Sequence, residues 1–373
     1  MNFNGLVNSG NLNKISSVMK RALNGENILT VFLGGSITQG SLSSTPELCY
    51  AYRVYRWWCE KFPMAKISFF NAGIGGTTSQ FGVARVEDHV LSKKPDFLLT
   101  EFAVNDEDDE FFKETYEGLI RRILNADPSP ALLLMNNAWF DSGNNAEDIH
   151  LPIAKHYDIP MVSMKSTIWP SIKSGELIKE DLSPDMLHPN DAGHKLISEV
   201  IIDFLEEVYA TCGDEDDILN KCIYDIKDSL TANAYENSVR IKNYNMDDFS
   251  VSMDGFNIEN HEKKEFLDIF SGGFTGSKVG DAITFKTECT GLAIQYKKTI
   301  NLPAPIAKAV VDGDEENAII LDANFDETWG DCLYIETVAK HMELSEHEVK
   351  IIITEAHEDD KVPFYLVSVI ASR

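Results

Sequence analysis

No apolar run in this chain approaches the roughly 18 residues that a membrane helix needs, so no membrane-spanning segment is expected. Cysteine is scarce. The six residues, Cys49, Cys59, Cys212, Cys222, Cys289 and Cys332, include no C-x-x-C pair, and a disulfide framework is out of place in a chain of this length. Free thiols are expected, acting mainly as small buried apolar residues. Internal repeats and low-complexity tracts are missing too. The start, Met1-Asn2-Phe3-Asn4-Gly5, has no basic segment followed by an apolar one, so the expected location is cytoplasmic. Positive charge is also in short supply: 33 bases face 60 acids, a net charge of −27. Such a surface repels polyphosphate, which makes nucleic acid and anionic membranes poor partners and leaves neutral substrates such as sugars open.

What is present is ordinary for a globular protein, with 43% hydrophobic and 25% charged residues. A length of 373 residues suggests two domains. From about 27 to 210, short apolar strands alternate with amphipathic helices. Strands are expected near 27–33, 66–71, 96–102 and 131–135, and helices near 48–62, 79–92, 110–126 and 192–209. This alternation implies an α/β fold, a parallel sheet covered on both faces. After Tyr209 the texture changes. Residues 213–217 form an acidic connector with a possible short helix beyond it, and 211–236 reads as a linker. From 237 to 373, β-rich runs at 282–286, 292–296, 308–311, 349–353 and 364–369 are separated by turn signals such as Asp254-Gly255 and Asp312-Gly313. Their spacing suggests an antiparallel sandwich.

The chemistry concentrates in four places. Gly34-Gly35-Ser36 puts a serine on a tight turn just after the first apolar strand, where glycine leaves room and a backbone N–H can face a developing oxyanion. It lacks the G-x-S-x-G of the common nucleophile elbow. Asn71-Ala72-Gly73-Ile74-Gly75-Gly76-Thr77-Thr78 follows the second strand, with the Gly76 N–H a candidate oxyanion donor. Thr78 stands where the third glycine of a dinucleotide loop belongs, so that reading is set aside. Ala103-Val104-Asn105-Asp106 ends the third strand. The Asn105 amide can donate to an oxyanion, while Asp106 or Asp108 is expected to cap the helix that follows. This acidic run lacks the spacing of a calcium loop, and no metal or organic cofactor is expected. Last, Asp185-x-x-His188 places a carboxylate where it can accept the imidazole N–H. Asp191-x-x-His194 has the same spacing but would lie inside the next helix, so His194 is expected to be a packing histidine.

Together these blocks resemble those of the SGNH hydrolases, the GDSL-like esterase superfamily, over roughly residues 25–210. Ser36, Gly76, Asn105 and His188 match the four namesake residues, and Asp185 matches the acid of D-x-x-H. Gly34-Gly35-Ser36-Ile37 departs from the usual Gly-Asp-Ser-Leu, and Ala103 replaces the glycine of G-x-N-D. The resemblance implies a three-layer, flavodoxin-like hydrolase domain at 1–210, a linker at 211–236 and a jelly-roll, carbohydrate-binding-module-like domain at 237–373. It also implies a Ser36-His188-Asp185 triad, and an oxyanion hole from Ser36, Gly76 and Asn105. The two-domain build is similar to bacterial acetyl esterases acting on acetylated mannan-type oligosaccharides, with Trp329 a candidate sugar-stacking residue. Xylan acetyl, aryl ester, thioester or lipid substrates remain alternatives in the same fold, and a non-catalytic carbohydrate-binding protein is the alternative from another class. Sequence leaves the oligomeric state open, a homodimer included.

Overall fold

A computed structural model describes residues 5–212, 224–259, 269–328 and 330–373. The chain divides into two compact units, Met1–Asn233 and Ala234–Arg373.

In chain order the strands of unit 1 are Leu6–Asn8 (β1), Ile28–Gly34 (β2), Ile67–Gly73 (β3), Phe97–Glu101 (β4), Ala131–Asn136 (β5) and Met161–Ser163 (β6). Its helices are Asn13–Leu23 (α1), Ser36–Gln39 (α2), Tyr50–Lys61 (α3), Ser79–His89 (α4), Glu110–Leu124 (α5), Glu147–His156 (α6), Ile168–Lys173 (α7) and Asp191–Thr211 (α8). The sheet runs β1-β6-β5-β4-β2-β3. Strands β2 to β6 are parallel, and β1 adds an antiparallel edge beside β6. Both β4 and β5 are buried along their whole length, as a sheet covered on two faces requires. On one face α1, α3 and α8 bury Met19, Trp58 and Ile201 against Phe32, Phe97 and Leu133. On the other, α4, α5 and α6 pack side by side. Three layers result.

The strand order reverses direction at β2 and β4, the point where an open α/β sheet leaves a crevice beyond its carboxyl ends. The loops carrying Ser36 and Asn105 leave those two strands, and the loop carrying Gly76 leaves the neighbouring β3.

Local capping explains the helix starts. Asn190 Oδ1 accepts from Ala192 N and Gly193 N at 2.9 and 3.1 Å and opens α8. Asp109 opens α5, accepting from Phe112 N at 2.8 Å, which corrects the expectation that Asp106 or Asp108 would do so. Asp106 is engaged elsewhere: its Oδ1 accepts from Ser79 N at 2.8 Å, at the start of α4.

Unit 2 contains Val239–Ile241 (β7), Ser250–Asp254 (β8), Asn257–Ile258 (β9), Phe274–Gly276 (β10), Ala282–Cys289 (β11), Gly291–Lys298 (β12), Ile306–Val311 (β13), Ile319–Asp322 (β14), Cys332–Ala339 (β15), Ser345–Glu355 (β16) and Phe364–Ser372 (β17). They form two antiparallel sheets, β15-β12-β17-β10-β9 with β7 on β17, and β14-β13-β16-β11-β8. Phe274, Ile294 and Leu366 of the first sheet share one core with Ile283, Phe285 and Ile351 of the second. The Phe274 and Phe285 rings meet edge to face at 5.7 Å. This is the expected antiparallel sandwich.

The acidic run 213–217, the possible helix after it, Cys222 and Trp329 lie outside the described residues. Residues 224–233 of the stretch read as a linker belong to unit 1, and 234–236 to unit 2. Tyr224 Oη donates to Pro130 O at 3.0 Å and accepts from Leu132 N at 2.9 Å. Leu230 N and Thr231 N donate to the buried carboxylate of Glu117 at 2.7 and 2.8 Å, giving it the partners a buried charge needs. The other five cysteines are free thiols. Among the described residues, no helix is long and apolar enough to cross a membrane.

Candidate active site

Strand β2 ends at Gly34, and α2 begins two residues later at Ser36. Gly35 is required there by close approach: a Cβ on it would come within 2.5 Å of Asn105 Oδ1. Ser36 is 7% exposed, and its hydroxyl lies 2.8 Å from His188 Nε2. On the other side of the ring, His188 Nδ1 lies 2.7 Å from Asp185 Oδ2. A carboxylate only accepts, so the ring proton belongs on Nδ1 and Nε2 is left to accept from the serine.

The loop geometry behind this pair is specific. Met186 adopts φ +66°, a left-handed conformation unfavourable for a side chain of its size, and its carbonyl accepts from Phe140 N at 2.8 Å. The reversal brings Asp185 Oδ1 back onto the N–H groups of His188 and Leu187 at 2.7 and 3.0 Å, and onto the Ser183 hydroxyl at 3.2 Å. Partial burial pushes the Asp185 carboxyl up, but the bonds from the His188 ring and from these N–H groups outweigh it and hold the group below its ordinary range.

Gly76 has φ +67°, and a Cβ built there would have nothing within 4 Å. Its backbone, rather than its packing, calls for glycine. The Gly76 loop and the strand before it are each fastened to the serine helix: Gly75 N donates to Gln39 Oε1 at 2.8 Å, and Asn71 Nδ2, on β3, donates to Thr38 O at 2.7 Å. Asn105 sits on a tight turn closed by its own N–H and that of Asp106, both on Phe102 O at 3.0 Å. The structure thus brings Ser36, Asp185 and His188 into one chain of hydrogen bonds, with Asn105 against Gly35. Among the described residues, no three His, Cys, Asp or Glu side chains converge as metal ligands do.

The second D-x-x-H holds a loop. Asp191 takes Ser44 N and Ser44 Oγ at 2.8 and 2.7 Å, and His194 accepts from Tyr50 N at 3.3 Å and donates to Ser41 O at 3.2 Å. Both anchor the segment that follows the serine helix. Burial pushes the His194 imidazole down to about 4, against the smaller opposing pull of Ser41 O and Asp191. In the unfolded chain the same ring takes its proton near pH 6.5. Between those values the unfolded state binds the extra proton, so the stability carried by neutral His194 is complete above pH 6.5 and declines as pH falls toward 4. About 3 kcal/mol is at stake. Urea midpoints at pH 7 and 4.5 are expected to fall less far apart in His194→Gln than in the parent chain, and equal drops would refute this.

Unit 2 contains another Ser–His–Asp contact that is not poised for the same work. His347 Nδ1 is 2.7 Å from Asp312 Oδ2, and Ser345 Oγ is 3.1 Å from Nε2. That Nε2, however, also faces Glu343 O at 2.8 Å, a carbonyl that only a protonated nitrogen can satisfy. Glu343 O and Asp312 both raise the His347 pKa. An imidazole that keeps its Nε2 proton cannot take one from serine.

Some supporting residues escaped the sequence reading. Arg85, fully buried on α4, donates to Ala72 O at 2.7 Å and Gly34 O at 3.1 Å, the carbonyls of the penultimate residue of β3 and the last residue of β2. Glu101, fully buried at the end of β4, accepts from Ala103 N at 3.0 Å. Burial pushes its carboxyl up to about 7, with the neighbouring Asn137 and the Ala103 N–H pulling the other way. A single acid closing an otherwise apolar strand, Phe97-Leu98-Leu99-Thr100-Glu101, was the available signal.

The model of the GDSL-like lipase/acylhydrolase family matches residues 32–196. A solved two-domain esterase active on acetylated mannans, crystallised with mannopentaose, is 49% identical, with 99% of this chain and 97% of that one covered and a TM-score of 0.92. A second structure of a two-domain esterase active on acetylated mannans gives 49% identity, the same coverage and a TM-score of 0.93. No curated protein matches the chain.

Proposed function

The chain belongs to the GDSL-like lipase/acylhydrolase family, and on that premise we propose that it is a serine esterase removing acetyl groups from acetylated manno-oligosaccharides. The likeness to a mannan-active esterase along nearly the whole of both chains supports the substrate. One observation carries the chemistry: a serine hydroxyl 2.8 Å from an imidazole whose far nitrogen is 2.7 Å from a carboxylate.

His188, held by Asp185, takes the Ser36 proton as Oγ attacks the acetyl carbonyl. The oxyanion is received by the Ser36 and Gly76 N–H groups and the Asn105 amide. His188 then protonates the sugar oxygen as its bond to the acyl carbon breaks, releasing the sugar hydroxyl and leaving an acetyl ester on Ser36. Water, deprotonated by His188, attacks that ester, and acetate leaves as Ser36 recovers its proton. Catalysis is assigned to unit 1 and sugar recognition to unit 2.

Acetate release from acetylated manno- and xylo-oligosaccharides tests the substrate. Release from mannan chains, with much slower release from xylan chains, is expected. Equal or reversed rates would overturn the sugar assignment, and cleavage of 4-nitrophenyl acetate would in that case preserve the esterase chemistry.

A further inference from the structure

We propose that Asp106, held by His150, is a positioning residue that sets the spacing between the two oxyanion donors outside the serine loop. The inference rests on reading Gly76 and Asn105 as those donors. They come from different strands, Gly76 after β3 and Asn105 after β4. Asp106 joins their loops directly. It follows Asn105 in the chain, and its Oδ1 takes the N–H of Ser79, three residues past Gly76, at 2.8 Å. That N–H belongs to the first turn of α4, where helix geometry leaves it without an internal partner and where negative charge is favoured. A shift of Asp106 therefore moves both donors relative to the Ser36 hydroxyl.

His150 fixes the other end of the carboxylate. Its Nε2 lies 3.1 Å from Asp106 Oδ2, and neither side chain has any exposed surface. The ring stacks on Tyr116 at 3.6 Å and 12°, and its Nδ1 faces Asn136 Oδ1 at 3.3 Å. Tyr116 comes from α5, His150 from α6 and Asn136 from the end of β5. Nearby, Ala146 N donates to Ala103 O at 2.8 Å, tying the Asn105 turn to the start of α6. A buried carboxylate without partners is costly. This one has a donor on each oxygen, and both donors lie on elements other than its own. Such a link locks geometry and touches no substrate.

The test uses full-length enzyme and 4-nitrophenyl acetate, so the sugar assignment plays no part. Asp106→Ala removes both bonds, and His150→Leu removes one without touching the turn. Asp106→Asn still accepts from Ser79 N, and His150 can turn an unprotonated Nε2 toward its amide. We expect Asp106→Ala and His150→Leu to lose roughly 10- to 100-fold in kcat with KM within about twofold, the scale of a displaced catalytic group. Asp106→Asn should stay within about threefold. If Asp106→Ala does not fold, His150→Leu carries the comparison. Asn105→Ala alone should lose about 10²–10³ in kcat, and adding His150→Leu to it should cost less than His150→Leu does in the parent, because the share of its effect that passes through Asn105 is already lost while the share through Gly76 remains. Full additivity, or lowered melting temperature with unchanged kcat, would overturn the positioning role and leave the donor assignment standing. Unchanged kcat in Asn105→Ala would overturn the donor assignment and this proposal with it.

Discussion

Replacing Ser36 by alanine should reduce kcat on 4-nitrophenyl acetate by roughly 10⁵- to 10⁶-fold while the protein melts within a few degrees of the parent. The first expectation follows from what is removed. Without Oγ no acyl-enzyme can form, and what survives is the oxyanion site acting on water, which in serine hydrolases leaves about 10³–10⁴ over the uncatalysed rate. The second follows from the serine's surroundings. Its hydroxyl bonds to an imidazole that keeps 24% of its side-chain surface exposed, so solvent can replace the lost partner at a cost of about 1 kcal/mol. The α2 turn rests on backbone bonds: Gly40 N and Ser41 N both reach Ser36 O at 3.0 Å, and alanine keeps them. Mass spectrometry of enzyme quenched during turnover gives an independent reading, with an acetyl adduct in the parent and none in the variant. Residual activity within 100-fold of the parent would mean that another group is the nucleophile.

What sequence revealed, and what it hid, separates by the range of the interaction responsible. Strands β2 to β5 were legible because each is a mainly apolar segment of five to seven residues bounded by turn residues. Strands β1 and β6 have three residues each, too few for a period to register. Helix α6 contains Pro152, which breaks the pattern expected of a helix interior. The candidate site was legible where its geometry is local. Asp185 and His188 are three apart, and Pro189 with the Asn190 cap keeps them outside α8, whereas Asp191 and His194 lie within it. Three aspartates, Asp106, Asp108 and Asp109, stand just before α5, and each is a residue type that caps helices. Bonds from Ser79, 27 residues away, and from His150, 44 away, engage Asp106 elsewhere. Arg85 and His150 find their site partners up to 51 residues away, and no spacing rule announces such contacts. Trp329, the one residue singled out for the sandwich, lies outside the described residues.

Asp185→Asn should cost about 10⁴ in kcat, and the reason for choosing asparagine over alanine lies in how the carboxylate is used. Oδ1 serves the loop, accepting from His188 N, Leu187 N and Ser183 Oγ, while Oδ2 serves the ring. An asparagine amide can keep its oxygen toward the loop donors, which preserves the backbone reversal at Met186. Its NH₂ then faces His188 Nδ1, and the imidazole must turn its proton to Nε2 to avoid opposing a donor with a donor. A ring protonated at Nε2 cannot accept from Ser36, so the fold survives and the base is lost. Acid stability supplies the control. The native Asp185 carboxyl titrates below its ordinary range, so its contribution is present above about pH 4 and disappears as pH falls through the lowered value. With 46% of that side chain exposed, solvent screening keeps the contribution small. Urea midpoints from pH 5 to 2 should therefore fall slightly less in the asparagine variant than in the parent, with the two close at pH 5. A variant that loses 10⁴ in kcat but little stability at neutral pH points to the tautomer. Comparable losses of both would trace the defect to the loop, and kcat within tenfold of the parent would remove Asp185 from the catalytic chain.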